Sequence, residues 1–151
     1  PLLRVTSTPV LQVNTGEELM RQKMKEALRQ SVENRLNNGT LDTVVRNTSS
    51  SWTQSGHLKG RVRKYRQNVK PTPVVTTYAL VLGYILGARG NGLFNTLWAR
   101  VLDTPQEGLI ALATDAKRLG FLDMSQAGGM VEVSFTRLFT EDERHLIHGS
   151  D

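Results

Sequence analysis

Cysteine is absent from the 151 residues, which excludes a disulfide framework and cysteine-based zinc sites and fits a reducing compartment. Acidic residues are missing from a long internal stretch. No Asp or Glu occurs between Asp42 and Asp103, so the cations in that stretch have no neutralising neighbour in sequence. Long apolar runs are missing too. The longest, Val74 to Leu86, spans 13 residues and includes Thr76, Thr77, Tyr78, Gly83 and Tyr84. A bilayer span needs roughly 20 mostly apolar residues, so this run predicts a core helix and no membrane partner. The first residues do not have the charged-then-apolar form of a signal peptide, and the expected location is the cytoplasm. No repeat of fixed period is visible, and nothing is low-complexity.

Catalytic signatures are equally scarce. The chain has no cysteine nucleophile, no G-x-S-x-G elbow and no Walker signature. The acids lie towards its two ends rather than in the clusters a metal-dependent nuclease would want. The glycine run Gly87-Ala88-Arg89-Gly90-Asn91-Gly92 has no strand before it and no Lys-Ser/Thr after it, so it reads as a helix terminator rather than a phosphate cradle. His145 and His148 share a spacing with Glu141 that suits a metal pair, but surface histidines account for them better. The expectation is a non-enzymatic protein without cofactor or metal.

What is present is positive charge, unevenly placed. Of 19 Lys/Arg and 14 Asp/Glu, residues 1–70 carry a net +8 and residues 71–151 a net −3. A basic half and a mildly acidic half point to one polyanion-binding surface and one surface kept for something else. The charge is densest in Ser49–Pro71, SSSWTQSGHLKGRVRKYRQNVKP. There Leu58, Val62, Tyr65 and Val69 fall at helical spacing, while His57, Lys59, Arg61, Arg63, Lys64, Arg66 and Lys70 fill the other positions. This predicts a basic helix from Trp52 to Lys70, capped by the serines and anchored in the core by Trp52. Gly56 and Gly60 weaken a helix by about 1 kcal/mol each relative to Ala, so a basic loop is the alternative for this segment.

Three parts are expected. Residues 1–15, with two prolines among Val, Thr and Leu, predict an extended arm able to pair with another chain. Residues 16–70 predict a basic helical module. Its first helix runs from Gly16, capped by Thr15, to about Asn37 and is stopped by Asn37-Asn38-Gly39; a short helix over Leu41–Thr48 follows, and then the basic helix. Two helices joined by a polar turn make a helix-turn-helix. Thr53, Gln54, Ser55 and His57 would then face the bases, and Lys59, Arg61, Arg63, Lys64, Arg66 and Lys70 the phosphates. Residues 71–151 predict a buried helix from Val74, a short helix over Leu93–Leu102 and a helix opened by Asp103-Thr104-Pro105 and ended by Gly120. A hairpin turning through Gln126–Gly129 and a terminal helix over Glu141–His148 follow. The fold class is mainly α, a helix-turn-helix domain with a small C-terminal β-hairpin.

The run Leu93–Phe135, helices followed by a hairpin, resembles the winged helix-turn-helix superfamily at the level of fold. The chain as a whole is similar to small helical DNA-binding proteins of bacteriophage-exclusion defence islands. The similarity rests on the polar turn and basic segment of Ser49–Arg66 and on the Pro-Thr-Pro and apolar helix of Pro71–Leu86. That resemblance implies duplex-DNA binding within a phage-defence complex, and it transfers no functional residue. Lys117 and Arg118 on the C-terminal helix are surrounded by Asp115, Asp123 and Glu132, which points that module towards a structural or protein-binding role. The rival functions are an assembly subunit whose basic face docks an acidic protein and an RNA-binding helical factor, and a protein partner or a homo-oligomer could also form through the arm or the C-terminal module. A plain solvated surface is the remaining reading of the basic segment.

Overall fold

Three helices end in the same way, and these ends set the architecture. In the computed structural model, which describes residues 2–33 and 35–143, a glycine with positive φ follows each of Ser55, Leu86 and Leu119. At the first, the Gly56 N–H donates to Thr53 O and the His57 N–H to Trp52 O, each at 3.1 Å. Gly87 and Gly120 repeat this paired closure on Tyr84 O with Gly83 O and on Lys117 O with Ala116 O. The closure satisfies carbonyls that a helix end leaves open, and it favours glycine because the left-handed conformation penalises a Cβ.

The chain is mainly α and divides into two compact units, Pro1–Val69 and Lys70–Asp151. Unit 1 runs α1 (Leu2–Leu11), β1 (Glu18–Leu19), α2 (Arg21–Ser31), α3 (Asn38–Gln54), β2 (Leu58–Lys59) and β3 (Lys64–Arg66). Its strands form an antiparallel sheet in the order β1-β3-β2, with Leu19 opposite Lys64 and Leu58 opposite Arg66. Val10, Leu19, Met24, Leu28, Leu41, Val45, Trp52 and Leu58 make the core.

Unit 1 departs from the sequence expectation at four places. Residues 2–11 are helix rather than an extended arm. Burial of Thr6, Ser7, Pro9 and Val10 overrides the low helix propensity of the β-branched residues and of Pro9, and the Trp52 indole N–H donates to Thr6 Oγ1 at 2.9 Å. Gly16–Leu19 does not open a helix. Gly16 has φ +86°, its N–H donates to Arg66 O, and the Arg66 N–H donates to Glu17 O, both at 2.8 Å. The Thr15 hydroxyl donates to Asn68 Oδ1 rather than capping. Asn37-Asn38-Gly39 begins a helix instead of ending one, because Asn37 Oδ1 accepts from the Thr40 N–H at 2.8 Å as the N-cap of α3.

The fourth departure is the basic segment. The serine run lies inside α3, a single 17-residue helix. Within this helix the hydroxyls of Thr43, Ser51 and Thr53 donate to carbonyls four residues back rather than capping a new helix. After Gly56 the chain makes the hairpin β2–β3, not a helix to Lys70. Gly60 fixes that choice: its φ is +119°, and a Cβ there would sit 2.0 Å from Arg63 O. Of the four apolar positions spaced as in a helix, Leu58 is buried while Val62, at the hairpin tip, is 91% exposed.

Unit 2 runs α4 (Pro73–Ile85), a 3-10 helix (Gly90–Asn95), α5 (Leu97–Arg100), α6 (Gln106–Arg118), β4 (Asp123–Ala127) and β5 (Met130–Ser134). Thr72 caps α4 by accepting from the Val75 N–H, with Pro73 in the first turn. Gly87, not Gly90–Gly92, ends that helix. Asn91 instead ties the 3-10 helix to the hairpin, accepting from the Val131 N–H at 2.8 Å and donating to Gly129 O at 3.0 Å. Gly128 and Gly129, both with positive φ, form the two-residue turn between β4 and β5. The core gathers Leu80, Leu93, Phe94, Leu109, Ala113, Leu122, Val131 and Phe135. The expected terminal helix falls mostly outside the described residues, as do His145 and His148. No helix among the described residues is long and apolar enough to cross a membrane.

Candidate nucleic-acid interface

Helix α3 buries Leu41, Val45, Thr48 and Trp52 at spacings of four, three and four, one stripe of an amphipathic helix. The opposite face carries Thr43, Arg46, Asn47, Ser50 and Gln54, all exposed. These side chains offer guanidinium, amide and hydroxyl groups, the chemistry that reads base edges. The face has one acid, Asp42, and two cations from α2 hold it, Lys25 at 3.0 Å and Arg21 at 3.6 Å. The hydrogen bond from Lys25 is the main reason that its carboxyl titrates below the usual carboxylate range. This ion pair also joins α2 to the outward side of α3.

The β2–β3 hairpin stands beside this face. Lys59, Arg61 and Arg63 are exposed, and none of them forms a salt bridge among the described residues. The Lys64 ammonium donates to Gly60 O at 2.7 Å, which ties the two sides of the hairpin loop. Between α3 and the hairpin lies a groove of about 400 Å³ whose walls include Arg21, Arg46, Ser49, Ser50, Arg61, Val62 and Lys64. Four cations therefore line one cleft, with Glu18 as its only acid among the described residues.

The structure divides the ten site residues expected from sequence. Lys59, Arg61, Arg63 and Lys64 come together on the hairpin, and Thr53 and Gln54 occupy the last turn of α3. His57 and Arg66 face inward instead, and the hydroxyl of the exposed Ser55 is bonded within the chain. Ser55 Oγ donates to Trp52 O at 2.9 Å and pairs with His57 Nδ1 at 2.7 Å. His57, 6% exposed, meets the Trp52 ring edge-on with ring centroids 4.9 Å apart. Arg66, 3% exposed, donates to Val10 O, His57 O and Gln67 O. That guanidinium closes the C-terminal end of α1 against the sheet and is not presented to a phosphate. Lys70 lies in unit 2, outside the groove.

Sequence reasoning missed Arg46, Asn47, Ser50 and Arg21. The signal was available in the buried stripe Leu41, Val45, Thr48, Trp52, which requires one continuous helix and so assigns Arg46, Asn47 and Ser50 to its free face.

In unit 2, Arg89, Lys117, Arg118 and Arg137 are engaged, whereas Lys70 and Arg100 are exposed. Arg118 pairs with Asp115, Lys117 Nζ donates to Met124 O at 2.7 Å, and Arg137 lies 3.8 Å from Asp123. Arg89 donates to Tyr84 O and Ala88 O and stacks over the Tyr84 ring at 3.7 Å, which completes the end of α4. No cluster of metal-ligating side chains occurs among the described residues. Comparison with protein-family models, with curated proteins and with solved structures returns no match to this chain.

Proposed function

We propose that unit 1 is a winged helix-turn-helix module that binds duplex DNA, with α3 in the major groove and the β2–β3 hairpin as a wing on the adjacent backbone. The supporting order is α-β-α-α-β-β with the third strand between the first two. An α-helix fits the major groove of B-DNA. On this reading Arg46, Asn47, Ser50 and Gln54 meet base edges, while Lys59, Arg61, Arg63 and Lys64 meet phosphates. Phosphate contacts set register and affinity; base contacts set preference. The protein acts by binding rather than by catalysis, in the cytoplasm with its nucleic acid, and a role in phage defence is the biological context the sequence resemblance suggests. Unit 2 follows a similar helices-then-hairpin order, but the engagement of Arg89, Lys117, Arg118 and Arg137 suits a structural or protein-binding role.

The observation that carries this reading is the cleft in which a polar, nearly acid-free helix face meets a hairpin whose cations form no salt bridge among the described residues. Its test is a gel-shift panel of duplex, single-stranded and RNA probes at two salt concentrations, with wild type and Arg61→Glu/Arg63→Glu/Lys64→Glu. The wild type should prefer duplex DNA and weaken steeply with salt. The triple variant should lose binding while its circular-dichroism spectrum is unchanged. Equal binding by both proteins would remove the hairpin from the interface, and preference for structured RNA would replace DNA as the partner.

A further inference from the structure

Helix α4 is more apolar on its outer side than on its inner one. The core-facing positions are Thr76, Thr77, Ala79, Leu80 and Gly83, all buried, and the Thr76 hydroxyl has no hydrogen-bond partner. The outward positions are Val74, Val75, Tyr78, Leu82 and Ile85, and Leu86 continues them at the helix end. Tyr78 is 68% and Leu86 70% exposed, and Val74, Val75 and Ile85 are about half exposed. At 100° per residue these six fall within one continuous face, opposite the buried one. A helix that only covered a core would carry polar residues there.

The order of these residues is self-complementary. Two copies of α4 packed antiparallel about a two-fold axis near Leu80 would set Val74 opposite Leu86, Val75 opposite Ile85, and Tyr78 opposite Leu82. Each pair joins a residue of the first half of the stripe to one of the second half, as an isologous contact requires. No charged residue lies between Lys70 and Arg89, so the face can meet itself without opposing like charges. A face built for an acidic or basic partner would carry charge. Side chains of this size at these exposures present on the order of 500 Å² per copy, and two copies together reach the roughly 1,000 Å² that a specific interface needs.

We propose that the outward face of α4 is a homodimer interface in which two copies of this chain pack α4 antiparallel. The inference does not depend on the nucleic-acid reading; it would give the assembly two copies of the basic cleft. Sedimentation velocity and light scattering on the full chain at micromolar concentrations test it. Wild type should show twice the chain mass, falling to the monomer on dilution, and Tyr78→Glu should be monomeric with an unchanged circular-dichroism spectrum. Leu86→Lys, at the helix end where a cation is tolerated, provides a second variant should Tyr78→Glu fail to fold, and it too should be monomeric. Because the chain has no cysteine, the Tyr78→Cys and Leu82→Cys single variants can be mixed and mildly oxidised. The mixed disulfide should exceed either homodisulfide. A wild type that stays monomeric overturns the proposal, including one that floats with phosphatidylglycerol vesicles, which would make the face a lipid contact. A dimer that survives both variants overturns it as well.

Discussion

Arg61 and Arg63 on the one hand, and Arg66 on the other, lie within six residues of each other, yet they should fail in opposite ways when truncated. The first two are exposed at the hairpin loop without ion-pair partners among the described residues, and each phosphate they neutralise should contribute about 0.9 to the slope of log K against log salt. With Lys59 and Lys64 also on phosphates, the wild-type slope should be about −3 to −4, and Arg61→Ala/Arg63→Ala should reduce its magnitude by about 2. Extrapolated from a 1 M reference, where the counterion term vanishes, that is a loss of about 30-fold near physiological salt. Neither side chain packs in the core, so the melting temperature should move by only a degree or two. Arg66→Ala removes a guanidinium that serves three backbone carbonyls. Hydrogen bonds to a charged group contribute about 1.5–3 kcal/mol, and a loss near 3 kcal/mol lowers the melting temperature of a unit this size by more than about 10 °C. Where the variant remains folded, its salt slope should match wild type. Fluorescence anisotropy on a labelled duplex across a salt series, paired with thermal melts, separates the two behaviours. A reduced slope for Arg66→Ala with an unchanged melt would refute the inward placement of Arg66 and restore a basic helix.

Other perturbations test the local account. Gly60→Ala places a Cβ against Arg63 O and should cost about 2 kcal/mol or more along with duplex affinity, whereas Gly92→Ala, with open space around it, should leave thermal stability unchanged. Thr6→Val leaves the buried Trp52 N–H without its acceptor and should cost about 1–3 kcal/mol in chemical denaturation; an unchanged midpoint would show that α1 is not held through that bond. The Asp42 carboxyl is depressed when folded, so its ion pair contributes stability that is fully present above its unfolded value of about 3.9 and lost as pH falls through the lower folded value. The melting-temperature difference between wild type and Asp42→Asn should therefore be constant from neutral pH to about 4 and close below it, and a difference that persists at the acid limit would contradict that cause.

The second half of the chain was more legible than the first because its turns and its apolar periodicity agree. Gly120 ends α6 where the apolar spacing also stops, and Gly128-Gly129 sits between two short strands, so each signal reinforces the other. In unit 1 they conflict. Gly56 terminates α3 as Gly120 terminates α6, yet Leu58, Val62, Tyr65 and Val69 happen to continue a helical spacing past it, although Val62 ends on a solvent-exposed loop. Strands of two and three residues are too short to show alternation; only pairing identifies them, of β2 with β3 inside the hairpin and of β3 with β1 through Arg66 and Glu17, and the second pairing spans almost fifty residues. The cationic character of the site was visible in composition. Its geometry was not, because Arg66 and His57 look like their neighbours until the core that buries them is assembled.

The central claim is that α3 and the β2–β3 hairpin together form the nucleic-acid surface. Backbone amide chemical shifts of the full chain, titrated with a short duplex at low salt, test it residue by residue. The account predicts shifts concentrated at Thr43–Gln54 and Lys59–Lys64, with α6 and the β4–β5 hairpin unmoved; shifts confined to unit 2, or none at saturating duplex, would contradict it.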